Sequence, residues 1–138
     1  MKAKINNKNV AFFKDIKIGD YFMYDEELYI KNEENRTTNA TVLKTGDMHS
    51  IDDDILVIGL GNKFSLNCNL SNRKTIHFKK DMVAGNCILL SSEKIGLVTH
   101  YGGHYFEYYG LDLQTGKFHI LETNIAYNVL EDATITLG

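Results

Sequence analysis

An all-β fold is predicted for this chain, and three features of the sequence predict it. Apolar residues recur at period two in short runs, the punctuation is Gly, Asn and Asp without a single proline, and no helical stretch shows a capped 3.6-residue apolar stripe. Eight Tyr and seven Phe, with no Trp, suit strands, where aromatic side chains pack well on a pleated surface.

The strands follow in two groups. Tyr21–Tyr24, Leu28–Lys31, Ala40–Leu43, Met48–Ile51 and Ile55–Ile58 alternate apolar and polar residues between turn residues. Asn86–Leu90, Ile95–Thr99, Tyr105–Leu111, Phe118–Leu121 and Ala126–Leu130 do the same further along. DEEL and NIAYNVL have room for no more than a single helical turn each.

The groups echo one another. LKTGDMHSIDDDI, residues 43–55, and LQTGKFHILETNI, residues 113–125, share Leu, Thr-Gly, a His three residues past the Gly and a closing Ile. Upstream, FKDIKIGDYF from Phe13 lines up with FKKDMVAGNCI from Phe78 after a one-residue slip, which matches Asp15 with Asp81, Ile16 with Met82, Gly19 with Gly85 and Phe22 with Ile88. Gly19 to Gly46 spans 27 positions and Gly85 to Gly116 spans 31, so the second group carries four more, placed in THYGGHY. The simplest origin is an internal duplication in which Leu43/Leu113, Met48/Phe118, Ile51/Leu121 and Ile55/Ile125 are matched core positions.

Five short strands with a Thr-Gly hairpin between the third and fourth is the pattern of a small SH3-like barrel, whose closure hides its strand edges. The expected organisation is two tandem SH3-like modules, 1–60 and 78–138, joined by a basic connecting segment, 61–77. A module of about fifty residues buries a marginal core, so the two should pack on each other or on another subunit of a homo-oligomer.

Composition narrows the class. An apolar share of 43%, a charged share of 24% and a net charge of −3 over 138 residues describe a globular chain. No run approaches the ~18 apolar residues of a membrane span, and MKAKINNKNV lacks the apolar stretch of a signal peptide, so the expected location is the cytoplasm. Cys68 and Cys87 sit in unlike contexts and read as free thiols. Lysine outnumbers arginine thirteen to two, which weakens any case for bidentate phosphate recognition.

At FKDIKIGDYF, YIK, NATVL and TG the chain resembles small proteins encoded in bacteriophage genomes. These share an F-x-D-L-x-x-G-D-x-F opening, a Y-x-K strand, an N-A-V-x-L strand and a Gly hairpin leading to acidic residues. The likeness covers about Asp15 to Ile58, and its skeleton recurs in the second half. It implies a phage or prophage source, and hence the cytoplasm of a host cell. The shared positions are hydrophobic and turn residues, so the resemblance carries over no catalytic set.

Two stretches concentrate chemistry. The segment from Asn62 to Lys80 holds Lys63, Arg73, Lys74, Lys79 and Lys80 without an acid, leaving ten bases against eighteen acids elsewhere. With His77 these form a candidate anion- or nucleotide-binding set; the bland alternative is solvated lysine on a connecting strand. THYGGHYFEYYG offers Tyr101, His104, Tyr105, Tyr108 and Tyr109 as partner-binding anchors, since Tyr brings a large contact area with a polar tip. His100, His104 and Glu107 suggest a metal, but alternation puts Glu107 on the face opposite His104, which argues against one site.

His49 and His119 each follow a core position and should face outward, and Asp52, Asp53 and Asp54 lack the Gly and distal Glu of a calcium loop. No nucleotide-loop, nucleophile-elbow or zinc-protease signature occurs. The reading is a non-catalytic phage accessory binding protein that inhibits or sequesters a host factor or defence signal, without a cofactor. Its partner is a host protein or a small nucleotide-like ligand. The alternatives are a virion or assembly component, and a nucleic-acid-binding protein using residues 62–80.

Overall fold

The computed structural model describes residues 2–5, 8–69, 73–77, 81–100, 108–122 and 125–138. The chain is all-β. Among the described residues there are fifteen strands and one 3-10 turn, Phe13–Asp15, and no helix is long and apolar enough to cross a membrane.

The first half supplies β1 (Lys2–Ile5), β2 (Asn9–Phe12), β3 (Tyr21–Tyr24), β4 (Glu27–Asn35), β5 (Thr38–Val42), β6 (Met48–His49), β7 (Leu56–Gly61) and β8 (Phe64–Asn67). The second supplies β9 (Arg73–Ile76), β10 (Cys87–Leu89), β11 (Ile95–His100), β12 (Tyr108–Asp112), β13 (Phe118–Ile120), β14 (Tyr127–Leu130) and β15 (Thr134–Leu137).

These form three sheets. One six-stranded sheet runs β2-β7-β3-β4-β5-β6, and the other, read from its opposite edge, runs β9-β14-β10-β11-β12-β13. The order is the same in both. The strand that follows each sheet leaves it, and β8 and β15 pair with each other, first residue to last, with β1 parallel to β15 on the far side.

The registers agree residue by residue. Phe22 faces Tyr29 as Ile88 faces Gly96, Tyr29 faces Val42 as Gly96 faces Asp112, and Ala40 faces His49 as Gly110 faces His119. The turn bonds agree too. Gly46 N donates to Val42 O at 2.8 Å and Gly116 N to Asp112 O at 2.9 Å, while Gly19 N donates to Lys31 O at 2.7 Å and Gly85 N to Val98 O at 2.8 Å.

The two halves clasp each other through their Thr-Gly hairpins. Glu33 N donates to Gly116 O at 2.8 Å and His100 N to Gly46 O at 3.0 Å, so each hairpin docks on the other half's third strand. Glu33 Oε1 also accepts from Phe118 N at 2.8 Å. Gly46 and Gly116 both lie at φ 72°, and a Cβ on Gly116 would stand 2.7 Å from Gly19 N and from Lys31 O. Only a residue without a side chain allows that approach.

Each six-stranded sheet contributes residues to a core on both sides. Residues of one parity, among them Tyr21, Ile30, Leu43, Cys87, Leu97 and Leu113, meet Ile135 and Leu137 of the third sheet in one shared core. Residues of the other parity form a private core in each half: Phe13, Ile16, Phe22, Tyr29 and Val42 in the first, Met82, Ile88, Val98, Leu121 and Tyr127 in the second. Burying each such side chain contributes roughly 1.5–3 kcal/mol, which is how such short strands hold together.

Two sequence expectations change here. Neither six-stranded sheet closes into a barrel, because the seventh strand departs to the ribbon and the shared core, not closure, covers the exposed face. The segment DEEL is no helical turn: Asp25 and Glu26, at φ 50° and 64°, make the two-residue hairpin between β3 and β4. NIAYNVL runs into strand β14. The stretch 61–77 holds β8 and β9, which belong to different sheets.

Of the matched core pairs, Leu43 and Leu113 are buried in the shared core, while Ile51 and Leu121 are buried in the two private ones. Met48 and Phe118 are both half-buried, facing Thr41 and Leu111. Ile55 is half-buried where Ile125 is exposed.

Candidate functional site

Matched positions that carry different residues mark what the fold itself does not require. The clearest case is the mouth of the private cores. In the first half Tyr29 fills it: the ring is buried, stacks on Phe22 with centroids 5.1 Å apart and planes 6° apart, and meets His49 edge-on at 5.9 Å. Burial first, then the carboxylates of Glu27 and Asp25, hold its phenol above the ordinary tyrosine pKa.

In the second half the same place is taken by a side chain from another strand position, Leu90. Gly96 stands at the Tyr29 position and Gly110 at the Ala40 position. Leu90 lies across both, since a Cβ on Gly96 would come 2.7 Å from its Cδ1 and one on Gly110 would collide with its Cδ2. Beside it opens a cleft of about 300 Å³, lined by apolar Leu90, Leu121 and Ile125 and by Ser91, Lys94 and His119. Ile120, 74% exposed, also lines it, as do Glu122 and Tyr127, whose hydroxyl accepts from Glu122 N at 3.0 Å.

Behind the imidazole sits a carboxylate. Asp112, at the Val42 position, is 4% exposed; its Oδ1 accepts from Gln114 N at 2.9 Å, and its Oδ2 lies 4.0 Å from His119 Nε2. Ser91 Oγ accepts from Lys94 N at 3.2 Å, so the hydroxyl caps a turn. The arrangement is that of a binding cleft with an apolar floor and a few polar groups.

A second divergence lies on β2 and β7, where the side that carries Ile58 runs past the shared core. Val10 faces Ile58 and Phe12 faces Leu56 across β2 and β7, and Val10, Phe12 and Leu56 are 75%, 44% and 59% exposed. At the place of Val10 and Ile58 the second half has Thr75 and Asn128, whose Oγ1 and Oδ1 are hydrogen-bonded at 3.0 Å. One face is apolar and its counterpart polar.

The partner-binding candidates Tyr101, His104 and Tyr105 lie outside the described residues, as does Glu107. Tyr108 opens β12 opposite His100, and Tyr109 is half-buried with its ring edge-on to Phe118 at 5.6 Å. Of the basic set, Lys79 and Lys80 lie outside the described residues.

The other basic candidates do not gather. Arg73 and Lys74 sit on edge strand β9 opposite Leu130 and Val129, with exposed His77 just beyond. Lys63 precedes β8, where with Lys8, Asn9 and Asn62 it lines a cleft of about 350 Å³. Lys63 thus belongs to the end of the three-stranded sheet and Lys74 to the edge of a six-stranded one. Asp52, Asp53 and Asp54 are exposed in a turn closed by Ile55 N donating to Asp52 O.

His49 is exposed, as expected, and the His119 side chain is 43% exposed; each stands at the rim of a private core. Asp112, Gly96, Gly110 and Lys94 were missed. The signal was present in the alignment of the halves, where Tyr29 meets Gly96, but only the strand register fixes that match. No protein-family model, curated protein or solved structure matches this chain significantly.

Proposed function

We propose that the chain is a non-catalytic accessory binding protein of the bacteriophage type, which inhibits or sequesters a host factor or defence signal, with the exposed apolar patch of β2 and β7 meeting a host protein. The observation that supports this is the exposure of Val10, Phe12 and Leu56, with polar Thr75 and Asn128 at the places of Val10 and Ile58 in the other half. A contiguous apolar face that the fold does not demand marks an interaction surface. The phage assignment draws on the motif resemblance, and cytoplasmic location follows from it.

The same reading takes the two six-stranded sheets as the products of an internal duplication of an SH3-like unit. Common strand order, common register and reciprocal hairpin bonds support it.

The test is affinity capture from bacterial host lysate with the full chain and with a Val10→Asp/Leu56→Asp variant. Both substitutions lie on exposed positions, so the variant folds with stability changed by about 0.5 kcal/mol or less. A host protein retained by the parent and lost by the variant is the expected result. Equal retention by both, or no specific retention by the parent, overturns the reading.

A further inference from the structure

We propose that the outer edge of β2 takes up an extended segment of a partner protein as a seventh strand of the first six-stranded sheet. That segment carries two apolar residues separated by one, with a carboxylate two positions beyond each. The inference rests on the reading that the β2–β7 patch meets a host protein, and it names how that partner is held.

Main-chain geometry opens this edge. Phe13 N donates to Ile55 O at 2.8 Å, and the two residues continue the antiparallel register of β2 and β7. Bonding alternates along such a ladder, so Asn9, Ala11 and Phe13 turn their N–H and C=O groups toward β7 while Val10 and Phe12 turn theirs away. Because β2 ends its sheet, two donors and two acceptors face outward. The same two residues carry exposed apolar side chains. The twin strand β9 reads RKTI, with two charges inside it, a device that keeps an edge from pairing; NVAF in β2 has none.

Charge selects the occupant. Exposed Lys8 and Lys14 bracket the strand, and Lys14 Nζ lies 5.7 Å from the centre of the Phe12 ring. No ion pair among the described residues engages either lysine, and the neighbouring carboxylates of Asp15 and Asp53 bear on Lys31. A second copy paired about Ala11, the register that uses all four outward groups, sets Lys8 against Lys14 at both ends, and like charges directly opposed are destabilising. A strand with acids at those two places meets each lysine with the opposite charge.

The probe is a capped peptide, Glu-Thr-Val-Thr-Val-Thr-Glu, titrated into the full chain and read by amide chemical shift and hydrogen exchange; the control carries Lys for both Glu. The Val10 and Phe12 amides are expected to gain protection of about tenfold or more at saturation. The control binds about threefold or more weakly, the scale of two exposed ion pairs. Lys8→Glu/Lys14→Glu, at exposed positions, keeps the fold and reverses that order. Val10→Pro removes an outward donor without touching a bond to β7, and abolishes binding.

The proposal is overturned if the peptide leaves both amides unprotected, or if the lysine control binds as well. Protection that appears without peptide as the chain concentration rises assigns the edge to a second copy and also overturns it. A host protein lost with Val10→Asp/Leu56→Asp but kept with Val10→Pro overturns the edge inference alone. Peptide binding without any host protein retained by the parent overturns the earlier reading alone.

Discussion

The phenolic oxygen of Tyr21 donates a hydrogen bond of 2.5 Å to the carbonyl oxygen of Leu113, joining the second strand of one sheet to the hairpin of the other. Tyr21 is fully buried in the shared core, 92 positions away in sequence. Its counterpart is Cys87, too short to make the reciprocal bond. Tyr21→Phe removes the donor and leaves a buried carbonyl less well satisfied, so a loss of about 1–2 kcal/mol is expected in urea unfolding. The matched Cys87→Ala change tests packing alone.

Cys87 also sets an alkaline limit. Burial, with a smaller contribution from Cys68, pushes its thiol up to about 12 from 9.0. The folded chain thus keeps a proton that the unfolded chain releases at lower pH. That contribution is fully present below about pH 9 and is lost as the pH rises toward 12. Buried Tyr21 is shifted in the same direction, chiefly by desolvation and then by Asp112. Urea midpoints should fall steadily above about pH 9, and less steeply in Cys87→Ala. Thiol labelling at about pH 8 should modify half-buried Cys68 first and Cys87 only at the rate of unfolding.

The two hairpin glycines give a sharper contrast. Gly46→Ala drives a methyl into Val98 O and to 2.6 Å from Gly85 N, at φ 72°; Gly116→Ala repeats the clash against Gly19 and Lys31. Each should cost about 3 kcal/mol or more, because backbone has to move as well as adopt a strained angle. Gly61→Ala shares a positive φ, 73°, but meets nothing within 4 Å, so it should cost only about 1 kcal/mol. Denaturation midpoints of the three variants decide this, and similar losses in all three would refute the clasp.

Inside the first sheet, Thr41 Oγ1 donates to Asn32 Oδ1 at 2.8 Å, and both residues are buried. Thr41→Val strands the amide oxygen and should cost about 1–3 kcal/mol, while the double variant with Asn32→Leu should lose less than the sum of the two singles. A double-mutant cycle in urea measures the coupling.

Much of the fold was legible because alternation and turn residues act locally. Tyr21–Tyr24 appeared as read, and the other predicted strands of both groups appear with ends shifted by a few residues. The strands missed are β1, β2, β8, β9 and β15, all at sheet edges or in the ribbon. Each is only four residues long, as in KAKI and TITL, too short for alternation to stand out, and their place depends on partners far along the chain.

The site was hidden for a related reason. Alternation sent His119 outward, and its side chain is 43% exposed, but alternation does not show the core rim and the cleft that it borders. The exchange of Tyr29 for Gly96, with Leu90 lying over it, is a change that hydrophobic pattern does not register. The loop holding Tyr101, His104 and Tyr105 lies outside the described residues, so the reading of those anchors stands as an expectation.

The ribbon of β8 and β15 has the geometry of a seam between two equal partners, yet a single polypeptide runs through it. For separate subunits such a seam opens on dilution, whereas here the tether keeps its edges in reach at any concentration. The same tether frees one half from the obligation to match the other, so one mouth can be sealed by tyrosine while its twin is spanned by leucine.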